Sequence, residues 1–150
     1  MSQHDVPAGF LPLNSSSPFN NLVGPYYACL LNEQICVGIR LDEKHCNTSG
    51  RLHGAMVAAI FDAVLGHNVG LELAKNNGED ITQYAAGVPN TPLVTATLTT
   101  DYMGTASIGD WLTATATVQR PGKSLAYVNA ELFNADTRIA KATGIYRVFT

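Results

Sequence analysis

Charged side chains are scarce in this chain of 150 residues, where they make up 14% of the sequence while hydrophobic residues make up 46%. Ordinary soluble proteins carry roughly 25% charged residues, so we expect part of the surface to face another subunit rather than water. The net charge of −3 and the absence of Lys or Arg runs exclude the electrostatic pattern that nucleic acids and anionic membranes attract. The sequence therefore predicts an oligomer with neither a nucleic acid nor a membrane as partner.

Cysteine is also rare, and long apolar runs and secretion signals are missing. The three cysteines, Cys29, Cys36 and Cys46, are an odd number without C-x-x-C spacing, which is typical of a reducing compartment and not of a disulfide framework. The first residues lack the basic and apolar regions of a signal peptide, and no stretch has the apolar length that spans a bilayer. We therefore expect a cytoplasmic protein.

Several catalytic motifs are absent as well. Without a G-x-S-x-G elbow the sequence does not fit a serine hydrolase, and without a G-x-G-x-x-G or phosphate loop it does not fit a nucleotide-binding enzyme. His45, Cys46 and His53 are two histidines and one cysteine, but neither a fourth ligand nor supporting acids accompany them. We predict no metal and no resident cofactor.

What the sequence does contain is one ordered series of elements. Residues 1–18 mix Pro, Gly, Ser and Asn and predict an extended arm, and residues 19–150 fit a single domain that opens with a short turn or helix from Pro18 to Gly24. Asn32-Glu33 suits a tight hairpin between two strands. The predicted strands are Tyr26–Leu31, Ile35–Leu41, Leu93–Tyr102, Trp111–Arg120, Leu125–Asn134 and Ile139–Phe149.

The segment between the second and third strands predicts one long helix. It should start near His53, after an Asn-rich turn, and end near Ala74, before Asn76-Asn77-Gly78. The helix is apolar on nearly all faces, so other elements must wrap it. The alternating strands supply that cover, and the fold class is therefore α+β, a curled antiparallel sheet around one central helix.

Asp62 is the strongest functional signal, because it is the only carboxylate between His53 and Gly70. Its neighbours within one helical turn are apolar or small, and an ionised carboxylate buried among them would be costly unless something nearby needs it. A structural acid satisfied by a hydroxyl or by backbone groups is the alternative. His67 lies five residues further along the helix, so we expect it to point away from the face of Asp62 and not to form a dyad with it.

A series of motifs also resembles a known family. The run HCNTSGRLHGA from His45 to Ala55, followed by Asp62, resembles the H-x-N-x-x-G-x-x-H-G-G … D signature of hotdog-fold acyl-CoA thioesterases of the PaaI-like branch. Further matches are Thr100 to Met103 with the "TYM" strand end, Gly109-Asp110 with the turn after it, and Gly122 to Tyr127 with the "GKTLAF" hairpin. The motifs occur in the family's order over residues 19–149.

The resemblance implies roles for individual residues. Asp62 matches the acid that acts as general base for a water or as nucleophile on the thioester carbonyl, and Gly54 matches the residue whose backbone amide polarises that carbonyl. Asn47 matches a position that helps to hold the substrate or the water, and Thr95 one that orients the nucleophile. By analogy the site lies at a dimer interface, with Asn47 and Gly54 of one subunit facing Asp62 and Thr95 of the other, and dimers pair further into a dimer of dimers.

Elementary physics supports part of this assignment. The first backbone N–H groups of a helix have no partner within it, and the helix dipole places partial positive charge there, as an oxyanion at Gly54 requires. His53, the residue before Gly54, is either a general base or a structural hydrogen-bonding group. Its place at the helix start favours the structural role.

Three further residues are candidates for substrate contact. Ala55 stands where the family motif has its second Gly, a position that the resemblance places next to the acyl-CoA. We interpret the added methyl group as adjusting the shape of the pocket without loss of activity. Arg120 and Lys123 flank a hairpin turn, where they either bind the phosphates of coenzyme A or are solvated turn residues.

Three hypotheses for the function follow. The first is an acyl-CoA thioesterase acting on an acyl or aryl-acyl group, with coenzyme A present only as part of the substrate. The second is an acyl-CoA-binding protein without catalysis. The third is a dehydratase or hydratase of acyl thioesters, which is less consistent with the sequence because such enzymes use a histidine where this helix carries an acid.

Overall fold

A computed structural model describes residues 5–149 of the chain. In chain order its elements are β1 (Leu11–Pro12), α1 (Pro18–Val23), β2 (Tyr27–Leu31), β3 (Gln34–Arg40), α2 (Gly54–Asn76), β4 (Leu93–Tyr102), β5 (Trp111–Pro121), β6 (Leu125–Asn134) and β7 (Thr137–Val148), with short 3-10 turns at Glu43–His45 and Ile81–Tyr84.

The seven strands form one antiparallel sheet in the order β1-β2-β3-β5-β6-β7-β4. The sheet curls around α2, whose apolar side chains and the inward residues of the strands make one core. This is the α+β hotdog architecture, and the prediction from the sequence is confirmed.

Turn chemistry sets the first hairpin. Asn32 and Glu33 have φ values of 51° and 61°, so both occupy the left-handed region that a two-residue type I′ turn needs. The turn fixes the register of β2 and β3, with Cys29 directly opposite Cys36. All three cysteines are free thiols.

Helix α2 begins one residue later and ends two residues later than expected. Its N-cap is His53, whose side chain accepts a hydrogen bond from the Ala55 amide. Asn68, buried in the middle, bonds both the N–H and the carbonyl of Ile35 at 2.9 Å and ties the helix to β3. Within the described residues α2 is also the one helix that is long and apolar enough to cross a bilayer, but most of it is buried inside the sheet.

The segment before α1 packs onto the sheet. Leu11 and Pro12 pair with β2, and the ring of Phe10 meets Trp111 edge-on with centroids 5.2 Å apart. Further along, the Asn14 amide donates to the carbonyl of Ala86, in the long connection between α2 and β4. The arm and this connection are thereby brought side by side over one face of α2.

Candidate active site

The carboxylate of Asp62 is held by two hydroxyl groups. Thr95 Oγ1 lies 2.7 Å and the Tyr146 hydroxyl 2.8 Å from Oδ1 of Asp62. No hydrogen bond to Oδ2 is found within residues 5–149. Both donors come from the sheet, where Thr95 on β4 and Tyr146 on β7 are paired directly across the two strands.

The expected burial of Asp62 is wrong for the single chain, in which the residue is exposed. The cause lies in how the sheet covers the helix. Residues of α2 that are not fully buried include Ala55, Ala58, Ala59, Asp62 and Gly66, which recur at helical spacing and form one stripe of small residues. The chain's own sheet leaves this stripe uncovered.

Thr95 was placed next to the acid only through the family resemblance, and the structure brings the two side chains together. Tyr146 was missed by the sequence reasoning. It is 84 residues from Asp62 and one of six tyrosines, and its only signal was its place on the inward face of a predicted strand. Burial raises the pKa of the Tyr146 phenol above its ordinary value, and the charge of Asp62 adds to that effect.

Asp62, Thr95 and Tyr146 line a cavity of about 520 Å³. Its other walls come from the arm at Asn14–Asn20 and from the end of the long connection at Val88–Thr91. Ser16 Oγ bonds Asn90 Oδ1 at 2.9 Å and closes these two walls against each other. The long connection between α2 and β4 thus forms one side of the candidate site.

His67 lines the same cavity, although its spacing from Asp62 predicted that it would point away. The two side chains are not hydrogen-bonded to each other, because His67 bonds Val88 and Asp62 bonds Thr95 and Tyr146. His67 Nδ1 accepts from the Val88 amide at 2.9 Å. Burial lowers the pKa of His67 to about 4, and the neutral imidazole is therefore the form that holds Val88 in place.

Gly54, at the start of α2, offers an unused backbone donor. The described part of the chain provides no hydrogen-bond acceptor for its N–H, while its carbonyl accepts from the Tyr102 hydroxyl at 2.9 Å. The His53 ring caps the helix by bonding the next amide, that of Ala55, which is the structural role that its position favoured. Ala55 itself is exposed beside Gly54.

The remaining candidates lie at the surface. The Asn47 side chain accepts from the amides of Ser49 and Arg51 and so shapes the turn before α2. Arg120 and Lys123 are exposed at the β5–β6 hairpin. Because Ala126 pairs with Tyr146, this hairpin lies at the same end of the sheet as Asp62.

His45, which precedes the turn before α2, is held by two hydrogen bonds. His45 is buried, with one ring nitrogen bonded to the Asp42 amide and the other to the Val23 carbonyl. Among residues 5–149, no three His, Cys, Asp or Glu side chains are grouped as metal ligands would be.

Gly54 and Asp62 cannot act on one carbonyl within a single chain. They are eight residues apart on α2, which corresponds to about 12 Å along the helix axis. Tyr102 meets Gly54, and Thr95 meets Asp62, so the two groups mark opposite ends of β4. Strand β4 is an edge of the sheet, paired on one side with β7.

Comparisons with known proteins agree with the class that this fold and this site define. The model of the thioesterase superfamily matches residues 49–141. A Pseudomonas aeruginosa protein whose name proposes esterase activity is 32% identical over 145 residues, covering 96% of this chain and 98% of its own. Mouse acyl-coenzyme A thioesterase 13 is 26% identical over 105 residues, covering 70% of this chain and 64% of its own.

Solved structures show the same fold. The zebrafish thioesterase superfamily member 2 has a TM-score of 0.70 at 22% identity and covers 89% of each chain. The E. coli PaaI protein of the phenylacetic acid degradation operon has a TM-score of 0.66 at 17% identity, with 90% of this chain and 86% of its own covered.

These findings define a thioester hydrolase with the hotdog fold. The chain belongs to the thioesterase superfamily.

Proposed function

We propose that the protein hydrolyses acyl-CoA thioesters, with Asp62 as the reacting acid and the Gly54 amide as the donor to the carbonyl oxygen. The observation that carries this proposal is the Asp62 carboxylate, which two hydroxyl groups hold at the wall of a 520 Å³ cavity while one of its oxygens stays unbonded. A cavity of this size admits a small acyl or aryl-acyl group.

The site is completed by a second copy of the chain. Strand β4 is a ten-residue edge without Pro or Lys, and such edges are normally paired or covered. If two β4 edges pair antiparallel, the Gly54 end of one subunit lies beside the Asp62 end of the other. The same contact covers the stripe of small residues on α2. We therefore propose a homodimer, which in turn pairs into a dimer of dimers.

The reaction follows from this arrangement. Asp62 takes a proton from water while the water oxygen bonds to the thioester carbon, and the carbonyl electrons move onto the oxygen that faces the partner's helix N-terminus. When that oxyanion collapses, the carbon–sulfur bond breaks and coenzyme A leaves as the thiolate. In the alternative mechanism Asp62 itself attacks the thioester carbon. A single turnover in ¹⁸O-water distinguishes the two, because the general-base mechanism labels the product acid and the nucleophilic mechanism labels the Asp62 carboxylate first.

The supporting positions fit the same scheme. Asn47 lies in the turn that leads into the Gly54 end, and Arg120 and Lys123 lie at the Asp62 end, outside the cavity. We propose that the hairpin charges attract the phosphates of coenzyme A. The cytoplasmic location expected from the free thiols remains a prediction.

A thiol-release assay over short, long and aromatic acyl-CoAs tests the proposal, with Asp62→Asn as the variant. We expect the wild type to turn over at least one substrate and Asp62→Asn to lose about a hundredfold or more in kcat, as removal of a general base typically does. Size-exclusion chromatography and circular dichroism show whether both proteins remain folded oligomers. Binding of acyl-CoA without thiol release would favour the non-catalytic binding protein, and water addition or loss without thiol release would favour the hydratase.

A further inference from the structure

Tyr146 is an unusual side chain in this site, because it is almost wholly buried and yet reaches a charged group. It is 1% exposed, and its hydroxyl lies 2.8 Å from Asp62 Oδ1 and 3.4 Å from the Asp62 carbonyl oxygen. The shorter contact, to an anionic oxygen, is the stronger hydrogen bond. The single phenolic proton therefore goes to Oδ1.

The strand around Tyr146 is built to admit its ring. A Cβ at Gly144 would lie 3.1 Å from the Tyr146 ring and 3.0 Å from Leu65, so glycine there leaves room for the ring beneath the helix. On the opposite strand the pairing slips by one residue directly after Thr95. Such bulges re-aim the side chains next to them.

Two donors on one oxygen restrict how the carboxylate can rotate. Thr95 and Tyr146 both bond Oδ1, so turning the carboxylate plane away from this orientation would break both bonds. Oδ2 is thereby left as the oxygen with free lone pairs. The buried phenol keeps its proton, since desolvation disfavours the phenolate.

We propose that Tyr146 is the positioning residue of the hydrolase, which fixes the Asp62 carboxylate so that Oδ2 is the oxygen that reacts. This inference rests on the proposed function, because it assigns a partner to the acid named there. In the reaction the water proton moves to Oδ2, the water oxygen bonds to the thioester carbon, and the Tyr146 proton stays on the phenol throughout.

Tyr146→Phe removes the donor and retains the ring. We expect kcat to fall about tenfold, in line with the loss of a hydrogen bond to a charged group, while KM stays within about twofold. The acid limb of the pH–rate profile should move to higher pH, because a carboxylate that loses a donor holds its proton more strongly. Thermal unfolding measures any effect on stability.

Tyr26→Phe is the matched control. Tyr26 is also a buried tyrosine, at 4% exposure, but its hydroxyl has no hydrogen-bond partner within residues 5–149. We expect Tyr26→Phe to keep the wild-type kcat and the wild-type acid limb. Equal losses of kcat in the two variants, or an unmoved acid limb in folded Tyr146→Phe, would overturn the positioning role.

A second substitution covers the case in which Tyr146→Phe does not fold. Incorporating 3-fluorotyrosine at position 146 keeps the ring and the hydroxyl but makes the phenol a stronger donor. The acid limb should then move to lower pH, opposite to Tyr146→Phe, and a merely structural tyrosine would leave it in place.

Asp62→Asn separates this inference from the proposed function. If Asp62→Asn keeps the wild-type rate, the acid is misassigned whatever Tyr146→Phe does. If Asp62→Asn loses about a hundredfold in kcat, while Tyr146→Phe and the 3-fluorotyrosine protein match the wild type in rate and pH profile, only the role of Tyr146 is wrong.

Discussion

The functional groups at the two ends of the edge strand β4 differ in whether one chain supplies their hydrogen-bond partners. At the Asp62 end, a carboxylate already has its two donors and a cavity beside it. At the Gly54 end, a helix N-terminus offers a backbone N–H that has no acceptor in the described part of the chain. One end is equipped to supply a base, and the other to accept negative charge.

In the mechanism that we propose, this difference means that a single copy is not a sufficient catalyst. The groups lie on one rigid helix, about 12 Å apart along its axis, and no side-chain movement brings them together. In the homodimer that we propose, antiparallel pairing of two β4 edges exchanges the ends, so that each Asp62 meets the Gly54 amide of the other subunit. A different protein as partner would lack this self-complementarity, whereas a homodimer with a two-fold axis has it by symmetry.

The largest effect is expected at the Gly54 end, from Gly54→Pro. Proline removes the amide hydrogen and adds its ring at a helix position that tolerates it, and His53 already has φ −70° and ψ 136°, which suit a residue before proline. Loss of one donor to an oxyanion typically lowers kcat about 10²- to 10³-fold. Thiol release under saturating substrate measures it.

Gly54→Ala is the control for that variant, because it adds a Cβ but keeps the N–H. The nearest atoms to such a Cβ are those of the Tyr102 ring at 3.6 Å, which is ordinary contact. We expect kcat within about threefold of the wild type, well below the typical effect of a lost donor. Equal losses in the alanine and proline variants would mean that the amide is not the donor.

The next effect concerns the Asp62 end, where the neutral His67 ring holds the cavity wall. Its pKa is lowered from 6.5 to about 4 by burial, so the unfolded chain binds a proton between these values and the folded chain does not. Stability should therefore fall as the pH drops from about 6.5 to about 4, and level off below, with a total of about 3 kcal/mol.

Urea unfolding at pH 7.5 and pH 4.5 measures this loss in the wild type and in His67→Gln. Glutamine retains an acceptor for the Val88 amide but does not titrate, so the wild type should lose more stability between the two pH values than the variant does. Parallel losses in both proteins would contradict the assignment of a neutral, buried His67.

The smallest effect is expected outside the cavity, at the hairpin on the Asp62 side. The double variant Arg120→Ala/Lys123→Ala should raise KM for acyl-CoA about fivefold at low salt, because exposed charge pairs contribute modestly and are screened. A pantetheine-truncated substrate without the nucleotide phosphates should show no change. Lys141→Ala is the control, since Lys141 is also exposed on the sheet but pairs with Asp101, far from this hairpin.

Much of the fold could be read from the sequence because local signals agreed with the final structure. Asn32-Glu33 specified a two-residue turn, alternation specified four long strands, and the polar residues after Lys75 ended the helix close to the expected place. These signals are local in the chain and agree with one another. The apolar faces of the alternating strands then pack against the apolar helix, which gives the observed fold.

The site was less accessible to the same reasoning. Asp62 stood out as a lone acid, but its exposure depends on where the sheet stops, and Tyr146 reaches it from another element entirely. His67 faces the same cavity because the arm and the long connection build its far wall, which helix spacing alone does not reveal.

The most direct test of a site shared between two subunits is to mix two inactive variants. Asp62→Asn retains the Gly54 amide and Gly54→Pro retains the carboxylate, so a mixed dimer contains one intact site formed by both subunits. Co-expression at equal levels gives half mixed dimers with one working site each, and we predict about a quarter of the wild-type activity from two proteins that are each nearly inactive. No recovery from verified mixed dimers would contradict a site shared between subunits.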